Sequence, residues 1–134
     1  YEQAIAAYEA LLAEEPDDET VKTQIARTRL AMGDFDAASE ELAAAASGLN
    51  AGREDLYNLG ELEFAKGAVD EAAKWYEKAS MVDPSWELPL FKLALVSLNK
   101  GDMETAKEYF RQVIEVAPDS AEGAQAKTML DALP

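Results

Sequence analysis

The sequence predicts an all-α chain of antiparallel helix hairpins stacked into an α-α superhelix. Three observations carry that expectation. The signature Gly33-Asp34-Phe35 returns as Gly67-Ala68-Val69 and again as Gly101-Asp102-Met103, each 34 residues after the last. Stripes of small and large apolar residues flank every signature at spacings of three and four, the recurrence of a single helical face. No stretch alternates with period two for long enough to compete as a strand. A fixed period of this size marks a stack of copies of one supersecondary unit, whose working surface is shared between copies.

Each copy reads as helix, tight glycine turn, helix and short connection. Upstream of the glycines lie Ile25-Ala26, Leu59-Gly60 and Leu93-Ala94, whose small members let two helices approach closely. Downstream come Ala38, Ala72 and Ala106, then Leu42, Tyr76 and Phe110, then Ala45, Ala79 and Val113. Spacings of four and three return these to one face. Pro84 and Pro118 follow the second helices, where proline stops helix propagation. The expected pairs are 19–32 with 35–48, 53–66 with 69–82, and 87–100 with 103–116. Asn50 stands in the proline position of the first full copy, inside Ser47-Gly48-Leu49-Asn50-Ala51-Gly52, so a more flexible connection is expected there.

The ends keep the register. Tyr1, Ala4, Tyr8, Leu11 and Pro16 match the second-helix pattern, so the chain is expected to open halfway through a repeat and to be a fragment of a longer polypeptide. After Pro118, Asp119-Ser120-Ala121-Glu122 has the form of an N-cap with an acidic first turn. A last helix then carries Ala126, Met129, Leu130 and Leu133 and is expected to shield the final apolar face. One domain over 1–134 follows: a half repeat at 1–18, full repeats at 19–52, 53–86 and 87–120, and a capping helix at 121–134.

The units resemble tetratricopeptide repeats. The middle copy carries the likeness most fully, with Leu56-Tyr57-Asn58-Leu59-Gly60, Lys66-Gly67, Ala72, Trp75-Tyr76, Ala79 and Asp83-Pro84. Departures are Arg29, Glu63 and Ser97, which replace the aromatic usual late in the first helix, and the missing proline of the first full copy. The resemblance implies a right-handed solenoid that binds peptides or proteins on its concave face. By register with the family, that face takes Thr23, Gln24, Arg27 and Leu30 from the first full copy. It takes Tyr57, Asn58, Glu61 and Phe64 from the second, and Leu88, Phe91, Lys92, Leu95 and Leu98 from the third. Some of these, Phe64 and Leu98 above all, are equally placed to pack as core. Arg27, Asn58 and Lys92 resemble part of the carboxylate clamp with which some family members hold a chaperone tail. Thr23 and Leu88 stand at two other clamp positions, so the set is incomplete. Asn58 remains a candidate to bond a peptide backbone, with Arg27 and Lys92 candidates to pair with acidic groups.

Composition narrows the function. There are 27 acidic and 12 basic residues, a net charge of −15, and neither histidine nor cysteine. Nucleic acid and anionic membrane surfaces are disfavoured as partners, because binding them rests on clustered Lys and Arg. Without His or Cys, the common general bases, thiol nucleophiles and most zinc sites are excluded. No phosphate-binding loop, nucleophile elbow or calcium loop occurs. Acidic runs such as Glu14-Glu15-Pro16-Asp17-Asp18-Glu19 sit at helix ends, where they favour the helix dipole. No enzyme, cofactor or metal is expected. No apolar run reaches the ~20 residues that cross a bilayer, so a soluble chain is expected, with the compartment open between cytoplasm and periplasm. The expected role is a non-catalytic scaffold or adaptor holding a peptide or protein in the groove. The alternative is an assembly module, self-associating through the apolar stripe Ala4, Ile5, Tyr8, Leu11 and Leu12 or bracing another domain of the parent chain.

Overall fold

The computed structural model describes residues 1–47 and 52–134, and among them lie eight α-helices and no strand. They are α1 (Glu2–Glu14), α2 (Glu19–Met32), α3 (Phe35–Ser47), α4 (Arg53–Ala65), α5 (Val69–Val82), α6 (Glu87–Asn99), α7 (Met103–Val116) and α8 (Ala121–Ala132). The helices within the expected pairs start where the period puts them and stop within a residue. The connection around Asn50 lies outside the described residues.

The turns show why the glycines recur. Gly33, Gly67 and Gly101 have φ of 82°, 83° and 79°, the left-handed region that only glycine enters freely. Each turn closes with the same pair of hydrogen bonds. Gly33 N–H donates to the Leu30 carbonyl at 3.0 Å and Asp34 N–H to that of Arg29 at 2.9 Å. The next copies repeat this with Gly67 to Phe64 and Ala68 to Glu63, then Gly101 to Leu98 and Asp102 to Ser97. Such bonds satisfy the last carbonyls of a helix while reversing the chain. Helix starts are capped by Asp18, Asp102 and Ser120, whose side chains accept from the N–H groups of Val21, Thr105 and Gly123.

Consecutive helices pack in chain order, and in addition α2 touches α4 and α6 touches α8. The even-numbered helices therefore share one side of the stack, an α-α superhelix as expected. Within each hairpin a small residue of the first helix faces a large one of the second. Leu42, Tyr76 and Phe110 are all at or below 1% exposure, as are Ala26 and Ala94. In the middle hairpin the approach is closest: a Cβ on Gly60 would lie 2.5 Å from the Tyr76 ring. The terminal helices differ. α8 buries Ala126 and packs Met129, Leu130 and Leu133 on the α6–α7 core, as a cap should. α1 buries nothing fully; Ile5, Tyr8 and Leu12 are half-buried while Ala4 and Leu11 are exposed. Among the described residues no helix is long and apolar enough to cross a membrane.

Candidate functional site

The shared side of α2, α4 and α6 carries a cavity of about 430 Å³ lined by Arg27, Leu30, Ala31, Tyr57, Asn58, Glu61, Phe64, Ala65 and Leu88. It is positioned by the middle hairpin. Because Gly60 faces Tyr76 of α5 and Leu59 packs with Ala26, Ala38 and Leu42 of α2 and α3, positions 57, 58, 61 and 64 fall on another side of α4. Tyr57 is partly buried on the cluster of Ala72, Tyr76, Leu93 and Val96, as is Phe64. Phe64 thus serves core and groove at once.

Glu61 organises the polar floor. It accepts from the Tyr76 hydroxyl at 2.5 Å and stands 3.3 Å from Lys92 Nζ. Lys92 also lies 5.3 Å over the Phe64 ring. Burial first, then the adjacent Glu61 carboxylate, push the Tyr57 and Tyr76 phenols well above the ordinary tyrosine range, so both stay protonated donors. Lys92 was expected to be free for acidic groups of a ligand; the structure instead commits it to Glu61, because the two face each other across neighbouring helices. Arg27 is exposed and forms no ion pair among the described residues. Asn58 is the larger surprise. Read as a surface donor, it is only 4% exposed, yet it lines the cavity and its amide hydrogen-bonds to no described residue.

The remaining expected residues divide. Phe91 and Leu95 line a second cavity, about 460 Å³, whose other wall is Ala124, Gln125, Thr128 and Met129 of α8. The Phe91 ring also meets Phe110 edge-on at 5.9 Å. Leu98 packs on the α6–α7 core. Thr23 and Gln24 lie with Arg53, Glu54 and Asp55 along a polar cleft between α2 and α4. Of the clamp-like set, Arg27 and Asn58 share one cavity and Lys92 lines neither it nor its extension. Sequence reasoning missed Trp86, Arg53 and the α8 wall. Trp86 falls in a connection, where no periodicity flags it, and α8 was read only as a cap. Among the described residues no group of His, Cys, Asp or Glu could hold a metal ion.

This architecture matches known proteins. Two family models, both described as tetratricopeptide repeat, match residues 1–51 and residues 56–85 and 89–120. The chain belongs to the tetratricopeptide repeat family. Tetratricopeptide repeat protein 7B of Homo sapiens is 31% identical over 61 residues, which is 46% of this chain and only 7% of the human protein. The Yersinia enterocolitica type III secretion translocator chaperone SycD superposes with a TM-score of 0.79 at 21% identity, covering 92% of this chain and 96% of its own. PcrH, from Pseudomonas aeruginosa, solved in complex with the chaperone binding region of PopB, gives 0.79 at 20% identity, covering 85% and 95%. At such identities the likeness is one of fold.

Proposed function

We propose that the chain is a non-catalytic adaptor, one domain over 1–134, that holds a segment of a partner protein against Arg27, Tyr57, Asn58, Glu61, Phe64 and Leu88. Asn58 carries this reading. The residue is otherwise buried, so its amide, which hydrogen-bonds to no described residue, is held facing the groove, where a peptide backbone would meet both its donor and its acceptor. Aromatic and apolar walls around such a group are what protein-recognition surfaces use. The second cavity, with Leu95, Phe91 and α8, continues the same face. That a fold neighbour, PcrH, was solved with a binding region of a partner agrees with the reading.

The test compares capture by this chain and by its Asn58→Ala and Tyr57→Ala variants, using lysate of the native source and then the purified partner. A partner lost by both variants, with circular dichroism unchanged, is the expected result. A partner held equally by all three would remove the groove assignment.

A second reading has one observation of its own. Tyr1 is 71% and Leu11 51% exposed on α1, an open apolar face that another copy of the chain would cover.

A further inference from the structure

Charge runs out along the shared side of the stack. The cavity at Asn58 is bordered by Arg27 and Glu61, and the polar cleft between α2 and α4 adds Arg53, Glu54 and Asp55. The hollow between α6 and α8, about 460 Å³, has no charged residue in its wall. The 34-residue register explains its shape. α8 sets Ala124 where α6 has Leu90, and with Thr128 one turn on it makes a short-sided wall across from Phe91 and Leu95. Met129 stands in the register of Leu95 and borders the space with another long apolar side chain.

The walls are held in place. Phe91 meets Phe110 edge-on, and Phe91, Leu95 and Met129 all pack partly on the buried α6–α7 core. The Thr128 hydroxyl is turned back on its own helix, donating to the Ala124 carbonyl at 3.2 Å. Of the six lining side chains, Gln125 alone brings a polar group bonded to no described residue, and it is exposed.

Such a wall selects its occupant. A charged side chain entering the hollow would give up hydration with nothing of opposite sign to meet it. A bulky apolar one would gain by leaving water, roughly in proportion to the area covered. Met129 is flexible and polarisable, so it adapts to more than one such shape. The hollow also continues the groove, because α6 borders the first cavity with Leu88 and this one with Phe91 and Leu95. Neighbouring helices lie about 8–10 Å apart, so the hollow is about 12–15 Å from Asn58. An extended chain covers that distance in about four or five residues. We propose that the hollow is the anchor subsite of the groove. It takes a bulky, uncharged apolar side chain (Leu, Ile, Met or Phe), about four or five residues along the partner segment from the part that meets Asn58. This rests on the groove being the binding face, as proposed above, and adds the chemistry of the occupant.

The experiment is selection of a random displayed peptide library on the full chain, then titration of a synthetic winner against wild type and Ala124→Phe. Ala124 is exposed, so the added ring fills the hollow without entering the core. Winners should carry Leu, Ile, Met or Phe at one fixed place, with Asp, Glu, Lys and Arg depleted there. Changing that residue to alanine in the peptide, or Ala124→Phe in the protein, should each weaken binding by about tenfold. Made together, the two changes should cost little more than either alone, because both remove the same contact. The peptide substitution leaves the protein fold untouched. Winners weakened by Tyr57→Ala but indifferent to Ala124→Phe, or charged at the anchor place, would overturn the subsite and leave the groove standing. Self-association abolished by Ala124→Phe in light scattering would put a second copy in the hollow and overturn a partner segment as its occupant. Winners indifferent to every groove variant, or no winners at all, would overturn both subsite and groove.

Discussion

Gly60 shows how much a single atom decides in this stack. Its counterparts in the neighbouring hairpins are Ala26 and Ala94, which face Leu42 and Phe110 with room for a methyl group. At Gly60 the opposing ring is Tyr76, fully buried and tied by its hydroxyl to Glu61. Alanine would favour the helix by up to about 1 kcal/mol, whereas forcing a methyl into a packed ring costs about 1–3 kcal/mol. The steric effect wins because Tyr76 cannot move without breaking its bond to Glu61. Gly60→Ala should therefore lower the urea midpoint, with a companion loss of groove binding as Tyr57 follows Tyr76. An unchanged midpoint would mean that the hairpin opens more easily than its burial implies.

At the scale of the helix, α1 and α6 mark the extremes. α6 buries Pro89, Leu90, Leu93, Ala94, Val96 and Ser97, packed on both sides by neighbours. Among the described residues α1 packs on α2 and is held by half-buried Ile5, Tyr8 and Leu12. One further tie is Arg29, 3.6 Å from Glu9, whose guanidinium also bonds Glu41 of α3. Arg29 stands where the family usually has an aromatic, and it replaces packing by ion pairs across three helices. If a second copy covers the open face of α1, light scattering should give twice the chain mass, and Leu11→Glu should return it to one. A wild-type chain that scatters as a monomer at high concentration would dismiss the self-association reading without touching the groove.

For the molecule as a whole, charge sets the response to pH. A net charge of −15 opposes compaction, and protonation relieves it. Glu41 adds to this. Burial holds its carboxyl above the ordinary range, against the opposing pull of Arg29, and one of its oxygens is buried without a partner. A carboxyl raised in the folded state contributes stability below its unfolded value and loses it as pH rises through the folded one. Asp83 and Asp102 act in the opposite sense. Hydrogen bonds from Ser85 and Thr105 hold them below the ordinary carboxylate range, so their contribution is present above the unfolded value and lost as pH falls through the folded ones. Stability to urea should therefore rise as pH falls from neutrality through the raised Glu41 value and be lost again as pH falls through the lowered values of Asp83 and Asp102. A decline that begins at neutrality and continues downward would show that ion pairs, not repulsion, dominate.

The repeat period alone determined the hairpins, their order and their turns. The left-handed glycine, the N-caps and the apolar stripe are local rules, each legible within a few residues and repeated at Gly33, Gly67 and Gly101. The tertiary structure decided what the site is made of. Asn58 was legible as a groove candidate, but that the residue is 4% exposed was decided by the packing of α4 among its neighbours. Lys92 looked free until α6 set it against Glu61. Trp86 had no periodic partner, yet the fold carried it to Tyr57. Periodicity states which positions are equivalent. Which side chains meet depends on the distance and rotation between helices, and those are set by packing among residues far apart in the chain, such as Gly60 against Tyr76.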